Sequence, residues 1–139
     1  RDTPVVLDLP EHSVRVQGDA LLLEHLVHNL CGNALDWACR GAARPQVCVR
    51  LRQDAAGAME LSVADSGSGV PLDARARIFD AFFSTKEGGM GMGLAICRSI
   101  VEAHHGRIEV GSDPELGGAR FTVWLPLVPA APAERGEAA

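Results

Sequence analysis

Apolar positions alternate along several short stretches of the chain and recur at helical spacing along two longer ones. Residues 5–9 and 14–17 read as short strands joined by Pro10-Glu11-His12-Ser13. From Asp19, a candidate N-cap, Leu22, Leu26 and Leu30 recur at helical spacing and predict a helix to about Arg40, ended by Gly41 and Pro45. In residues 46–53, Val47, Val49 and Leu51 alternate with Cys48, Arg50 and Arg52. Residues 59–64 follow the turn Asp54-Ala55-Ala56-Gly57, so the two stretches predict a hairpin. A short helix is expected over 73–81 after Pro71, with Asp73 as its cap, and a second long helix over 92–105, stopped by Gly106. Residues 107–110 and 119–127 are the last predicted strands. The segment after Leu127 has little to bury and is expected to be disordered, which leaves 1–127 as one domain and 128–139 as a tail. Hairpins flanking helices, without regular βαβ alternation, predict an α+β two-layer sandwich. Its mixed, mostly antiparallel sheet would be covered on one face by about three helices and more open on the other.

A chain of 139 residues that is 47% hydrophobic can bury one core. A net charge of −5 supplies no basic face for nucleic acid. The longest apolar run, Leu21-Leu22-Leu23, is broken by Glu24, His25 and His28, and is too short to span a bilayer. The opening Arg1-Asp2-Thr3-Pro4 has neither the order of a signal peptide nor an initiator Met, so the chain reads as a piece of a longer protein and as a soluble cytoplasmic domain. The four cysteines, Cys31, Cys39, Cys48 and Cys97, form no C-x-x-C pair and no zinc-like spacing. They are expected to be reduced core residues.

Three stretches carry candidate chemistry. In Phe82-Phe83-Ser84-Thr85-Lys86-Glu87-Gly88-Gly89-Met90-Gly91-Met92-Gly93-Leu94, glycines, a lysine and two hydroxyls crowd the entrance of a predicted helix. Glycine lets backbone N–H groups approach a ligand closely, and a helix N-terminus offers unpaired donors and the positive dipole end, which suits phosphate. Such turns also cap ordinary helices. Asn29 and Asn33 lie one helical turn apart and share a face. Their amide oxygens are hard ligands suited to Mg²⁺, while a plain solvent-facing polar stripe fits the spacing equally well. In Asp65-Ser66-Gly67-Ser68-Gly69-Val70, a carboxylate leaves a strand beside two glycines. It can accept a hydrogen bond from an exocyclic amine while a flat ring lies against the backbone; the alternative is an ordinary Asp-Gly turn.

In this order, the asparagine pair, the D-x-G-x-G turn and the Gly-Gly-Met-Gly-Met-Gly loop resemble the ATP-binding domain of bacterial sensor histidine kinases. That family belongs to the gyrase, chaperone, histidine kinase and mismatch-repair ATPase superfamily. Arg77-Ile78-Phe79-Asp80-Ala81-Phe82-Phe83 is similar to its phenylalanine box, and the stretch from Gly117 to Pro126 is similar to its closing glycine box and last strand. The resemblance covers residues 5–126 and implies a Bergerat-type ATP-binding fold. The glycine loop is not a Walker A, because no G-x-x-x-x-G-K-[ST] is present.

The resemblance also implies roles. Asn33 would coordinate Mg²⁺, with Asn29 beside the phosphates or the metal. Asp65 would bind the adenine amine of ATP, Gly67 and Gly69 would shape the adenine pocket, and Phe79 and Thr122 would belong to the same nucleotide site. Gly89, Met90, Gly91, Met92 and Gly93 would form a mobile phosphate lid, with Leu94 opening the helix behind it. Lys86 would contact phosphate and Arg77 would face the γ-phosphate, which with Asn29 makes the implied catalytic set. The short Ser84-Thr85-Lys86-Glu87 lid is similar to that of nitrogen-, oxygen- and dicarboxylate-responsive kinases.

The implied partners are a histidine-bearing dimerisation domain of the same protein and a cognate response regulator, with no nucleic acid. The isolated domain would be a monomer, and the full-length protein a homodimer that can be anchored in the inner membrane. Two departures stand out. None of the five histidines has the context of a phospho-acceptor, and Trp37 occupies a position where the family usually has a small residue. An anti-sigma-type serine kinase, or a docking module without transfer activity, shares the fold and is the competing reading.

Overall fold

The computed structural model describes residues 5–11, 15–41, 44–54, 57–80 and 93–127. Eight elements follow one another: β1 (Val5–Asp8), α1 (Ala20–Gly41), β2 (Val47–Gln53), β3 (Ala58–Asp65), α2 (Leu72–Arg75), α3 (Gly93–Ala103), β4 (Arg107–Ser112) and β5 (Ala119–Pro126). The strands form one sheet in the order β1-β2-β3-β5-β4. β1 runs parallel to β2, and the other neighbours are antiparallel. The helices cover one side of this mixed sheet, as the alternation in the sequence predicts.

Alternation decides which side chains meet the helices. Val47 and Val49 of β2, Leu61 and Val63 of β3, and Phe121, Val123 and Leu125 of β5 are buried against them. α1 contributes Leu26, Leu30, Ala34 and Ala38, four residues apart, and α3 contributes Leu94, Cys97, Ile100 and Val101. Each fully buried leucine contributes about 1.5–3 kcal/mol relative to exposure. On the opposite face, Arg107 lies over the Trp124 ring, its guanidinium carbon 4.1 Å from the centroid.

Asp19 caps α1 as expected: its Oδ1 accepts from the N–H groups of Leu21 and Leu22 at 3.0 and 3.1 Å. α3 ends where His105 turns left-handed, at φ 63°, and Gly106 N–H donates back to the Val101 carbonyl at 2.9 Å. A Cβ at Gly106 would run into the Trp124 carbonyl, so glycine there lets α3 return directly into the sheet.

Three expectations need correction. The strand expected over 14–17 is reduced, among the described residues, to one antiparallel bridge between Val16 and Leu127. The short helix starts at Leu72 behind Pro71 with no side-chain cap, and it is a single turn in which Asp73 is internal. Adjacent Ile78 and Phe79 are both drawn into the core, so the chain continues as turns from Ala76 to Phe79 rather than as helix. Only Cys97 is buried; Cys31 and Cys48 are half-buried, Cys39 is exposed, and all four are free thiols. Their apolar sequence neighbours belong to both faces of an element and so do not report burial. The expected tail beyond Leu127 lies outside the described residues.

Candidate functional site

Asp65 ends β3 fully buried, opposite Val47 at the start of β2. Its Oδ1 accepts from Gly67 N–H at 2.8 Å and from Ala119 N–H at 3.3 Å. Its Oδ2 is buried and has no hydrogen-bond partner among the described residues. Burial pushes the Asp65 carboxyl above its ordinary range; the Gly67 and Ala119 N–H bonds oppose that rise, and the neighbouring Asp113 carboxylate adds to it. A buried carboxylate oxygen with no partner is costly unless a donor arrives from outside the chain. The Asp65 site therefore has the chemistry of a receptor for an N–H group.

Backbone packs closely around the carboxylate on its Oδ1 side. A Cβ at Gly67 would lie 2.6 Å from the Trp37 carbonyl, so the turn after β3 packs directly on the end of α1. Gly69 has φ +84°, a conformation that favours glycine. Ser66 ties the turn to the start of β2, donating N–H to the Gln46 carbonyl at 3.1 Å and accepting from Gln46 N–H on Oγ at 2.8 Å. Gly118 closes the other side, packed against Asp65 and Gly67.

Trp37 is half-buried and stacks on Phe121, with ring centroids 5.7 Å apart and an interplanar angle of 29°. Phe79 meets the same Phe121 edge-on at 6.0 Å. The unusual tryptophan is thus accommodated by an aromatic row, and Phe79 is a buried support of that row.

Further along α1, Asn29 and Asn33 are both half-buried on one face, as their spacing requires. Asn29 Nδ2 is buried and, among the described residues, makes no well-formed hydrogen bond, with the weakly accepting Cys97 sulfur beside it. Beside it on α3, burial pushes the Cys97 thiol up to about 12, with the Asn29 side chain opposing the rise, so Cys97 stays a neutral packing group. Among the described residues the site therefore offers an acceptor without a partner at Asp65 and, at Asn29, a donor whose neighbour is a sulfur. That polarity suits a ligand with an amine at one end and an anion at the other.

The remaining sequence candidates divide. Gly93 opens α3 and Leu94 is buried beneath it. Lys86, Gly89, Met90, Gly91 and Met92 lie outside the described residues. Arg77 is exposed in the turn after α2 and is engaged within the domain. The structure does not bring Thr122 to the site. It pairs with Ser62 and alternates with buried Phe121, so it faces the helix-free side of the sheet, away from Asp65.

Sequence reasoning missed Asp113, which is buried, accepts from Leu116 N–H on Oδ2 at 2.7 Å, and donates its own N–H to the Gly118 carbonyl of the glycine box at 2.9 Å. The readable signal was Asp113-Pro114 followed by Gly117-Gly118, a turn motif with an Asp able to hold its own loop.

The chain belongs to the histidine kinase-, DNA gyrase B- and HSP90-like ATPases, whose family model matches residues 18–129. Within that family its relatives are sensor histidine kinases, and the domain is their ATP-binding catalytic module. It is 44% identical over 114 residues to the C4-dicarboxylate transport sensor protein DctS of Rhodobacter capsulatus, covering 81% of this chain and 17% of that protein. It is 40% identical over 119 residues to the sensor histidine kinase ZraS of Escherichia coli O157:H7, covering 86% of this chain and 24% of that protein. The chain thus spans less than a quarter of the length of either relative. Among solved structures, the mycobacterial sensor histidine kinase MprB superposes with a TM-score of 0.78 at 31% identity, covering 91% of this chain and 86% of that one. Full-length ShkA, solved in complex with AMPPNP, superposes with a TM-score of 0.77 at 33% identity, covering 93% of this chain and 26% of that one.

Proposed function

We propose that the domain binds Mg·ATP and delivers the γ-phosphoryl group to a histidine on a separate helical dimerisation domain of the same protein, from which a response regulator then takes it. The observation that carries this reading is the buried Asp65 Oδ2, which has no hydrogen-bond partner among the described residues. The adenine exocyclic amine would donate to it, and Gly67, Gly69 and the Phe79-supported wall would flank the ring. Asn29 Nδ2 would donate to a phosphate oxygen, and the N-terminus of α3 at Gly93 would face the phosphates. The glycine loop with Lys86 would cover them. Charge neutralisation and positioning are the main contributions a protein makes to phosphoryl transfer, so the chain needs no nucleophile of its own.

Among the described residues no group of three His, Cys, Asp or Glu could hold a metal. The donor set here is an amide oxygen, from Asn33, which suits an ion that keeps several waters and takes phosphate oxygens as further ligands. Bound Mg²⁺ would neutralise phosphate charge. Asn33→Ala is expected to abolish the difference in ATP affinity between titrations with Mg²⁺ and with EDTA. A variant that keeps the difference would move the metal to another ligand, Asn29 first.

No described helix is long and apolar enough to cross a membrane. Attachment to the inner membrane, and a homodimeric full-length protein, would be supplied by the rest of a longer chain. The activity test combines this domain, the cognate histidine-bearing domain and γ-labelled ATP. Acid-labile, base-stable label on the histidine domain is the expected result. Acid-stable phosphoserine on a partner would replace the reading with a serine kinase of the same fold, and binding without transfer would reduce it to a docking module.

A further inference from the structure

The turn that follows Asp65 is fixed at its near end by Ser66 and Gln46, and its far end is fixed by an arginine outside the motif. Arg75, the last residue of α2, donates from Nε to the Val70 carbonyl at 3.2 Å and from Nη2 to Ser112 Oγ at 2.8 Å. Val70 is the buried end of the Asp65–Val70 turn. Ser112 ends β4, one residue before Asp113, whose backbone N–H donates to the Gly118 carbonyl at 2.9 Å. Gly118 packs on Asp65, and Ala119 N–H donates to Asp65 Oδ1. One guanidinium therefore spans the two backbone segments that pack on the Asp65 carboxylate, residues 65–70 and 112–119.

From this geometry we infer that Arg75 is a positioning residue of the nucleotide site, a strut that sets the spacing of the two segments around Asp65. The inference rests on the nucleotide reading above. Two donors in a rigid planar fork reach two acceptors in different segments at once, which the single ammonium of a lysine does not reproduce. Arg75 acts through hydrogen bonds and not through charge, because its two partners are a neutral carbonyl and a neutral hydroxyl. The base end of the ligand, and not its phosphates, is the part that senses the strut.

The test is calorimetry of the wild-type chain and of Arg75→Met, Arg75→Lys and Ser112→Ala, each titrated with ADP, adenosine and pyrophosphate. Arg75→Met should weaken ADP and adenosine by the same factor, about tenfold for two lost hydrogen bonds, and leave pyrophosphate unchanged. Arg75→Lys should behave like Arg75→Met. Ser112→Ala removes one end of the strut at an exposed hydroxyl, should weaken adenosine by about threefold, and keeps the test intact where Arg75→Met fails to fold. In the Arg75→Met/Ser112→Ala double variant the losses should not add, because both remove the same strut. Adenosine affinity within twofold of wild type in Ser112→Ala and Arg75→Lys, whatever happens to thermal stability, would overturn the inference and leave Arg75 a structural residue. A wild-type chain that binds neither ADP nor adenosine would instead overturn the nucleotide reading itself.

Discussion

Asp65→Asn is expected to weaken ADP binding by about ten- to hundredfold while the domain stays folded. Asparagine retains an oxygen that can accept from Gly67 and Ala119 N–H in the place of Oδ1. The change falls on the other atom: the orphaned Oδ2 acceptor becomes an NH₂ donor, which an incoming amine meets donor to donor. The loss of a hydrogen bond to a charged group is about 1.5–3 kcal/mol, which is that range of affinity. Calorimetry with ADP on a variant of native circular dichroism checks it. Unchanged affinity would remove Asp65 from the ligand.

The same carboxyl makes a pH prediction with two opposite signs. Its proton is held more tightly in the folded domain than in the unfolded chain, where 3.8 is its ordinary value, chiefly because burial disfavours the charge. Between the unfolded and folded values the folded state therefore binds more protons, and the contribution of this group to stability falls as pH rises. Nucleotide binding runs the other way, since the ionised carboxylate is the stronger acceptor, and should weaken as pH falls through the folded value. Asp65→Asn should flatten both dependences relative to wild type. Matched denaturation and ADP titrations across the acid range would show it.

The hairpin of β2 and β3 was legible because strict alternation bounded by a turn has few other solutions; Asp65 stood out only together with the asparagine pair and the glycine loop, because its turn alone reads as an ordinary Asp-Gly turn. The asparagine pair followed from helical spacing alone. What stayed hidden depends on register or on distance along the chain. Thr122 lies one residue from Phe121, yet the pleat sends the two side chains to opposite faces of the sheet. No local pattern states which residue of β5 points inward until the pairing with Ser62 and Val63 is known. Ala119 reaches Asp65 across 54 residues, and Arg75 reaches Ser112 across 37, through backbone and hydroxyl groups that carry no type-specific signal. The aromatic row likewise joins Trp37, Phe79 and Phe121 from three separate segments. Motif reasoning points to side chains with candidate chemistry; the groups that hold those side chains in place are set by topology.

Gly118→Ala is expected to cost about 3 kcal/mol or more of stability and to abolish nucleotide binding. A Cβ there would overlap the Asp65 carbonyl and its Oδ1, and would lie 2.6 Å from Gly67 N. Two of these three atoms are backbone, and the third is fixed by the N–H groups of Gly67 and Ala119, so none can swing aside as the end of a flexible side chain does. Relief requires parting the turn at Gly67 from the start of β5, which breaks the Ala119 N–H bond to Asp65 Oδ1 and displaces the carboxylate. Two neighbouring glycines separate this crowding from other glycine effects. Gly117 has φ +87° with open space around its Cβ position, so Gly117→Ala carries only the left-handed strain of about 1–2 kcal/mol. Gly111, in β4, has open space and no such φ, and Gly111→Ala should change stability by less than about 0.5 kcal/mol. Denaturant midpoints in the order Gly111→Ala, Gly117→Ala, Gly118→Ala, highest to lowest, are the expected result. A Gly118→Ala domain as stable as Gly117→Ala, with ADP affinity intact, would mean that the two segments around Asp65 part without consequence for the carboxylate they enclose.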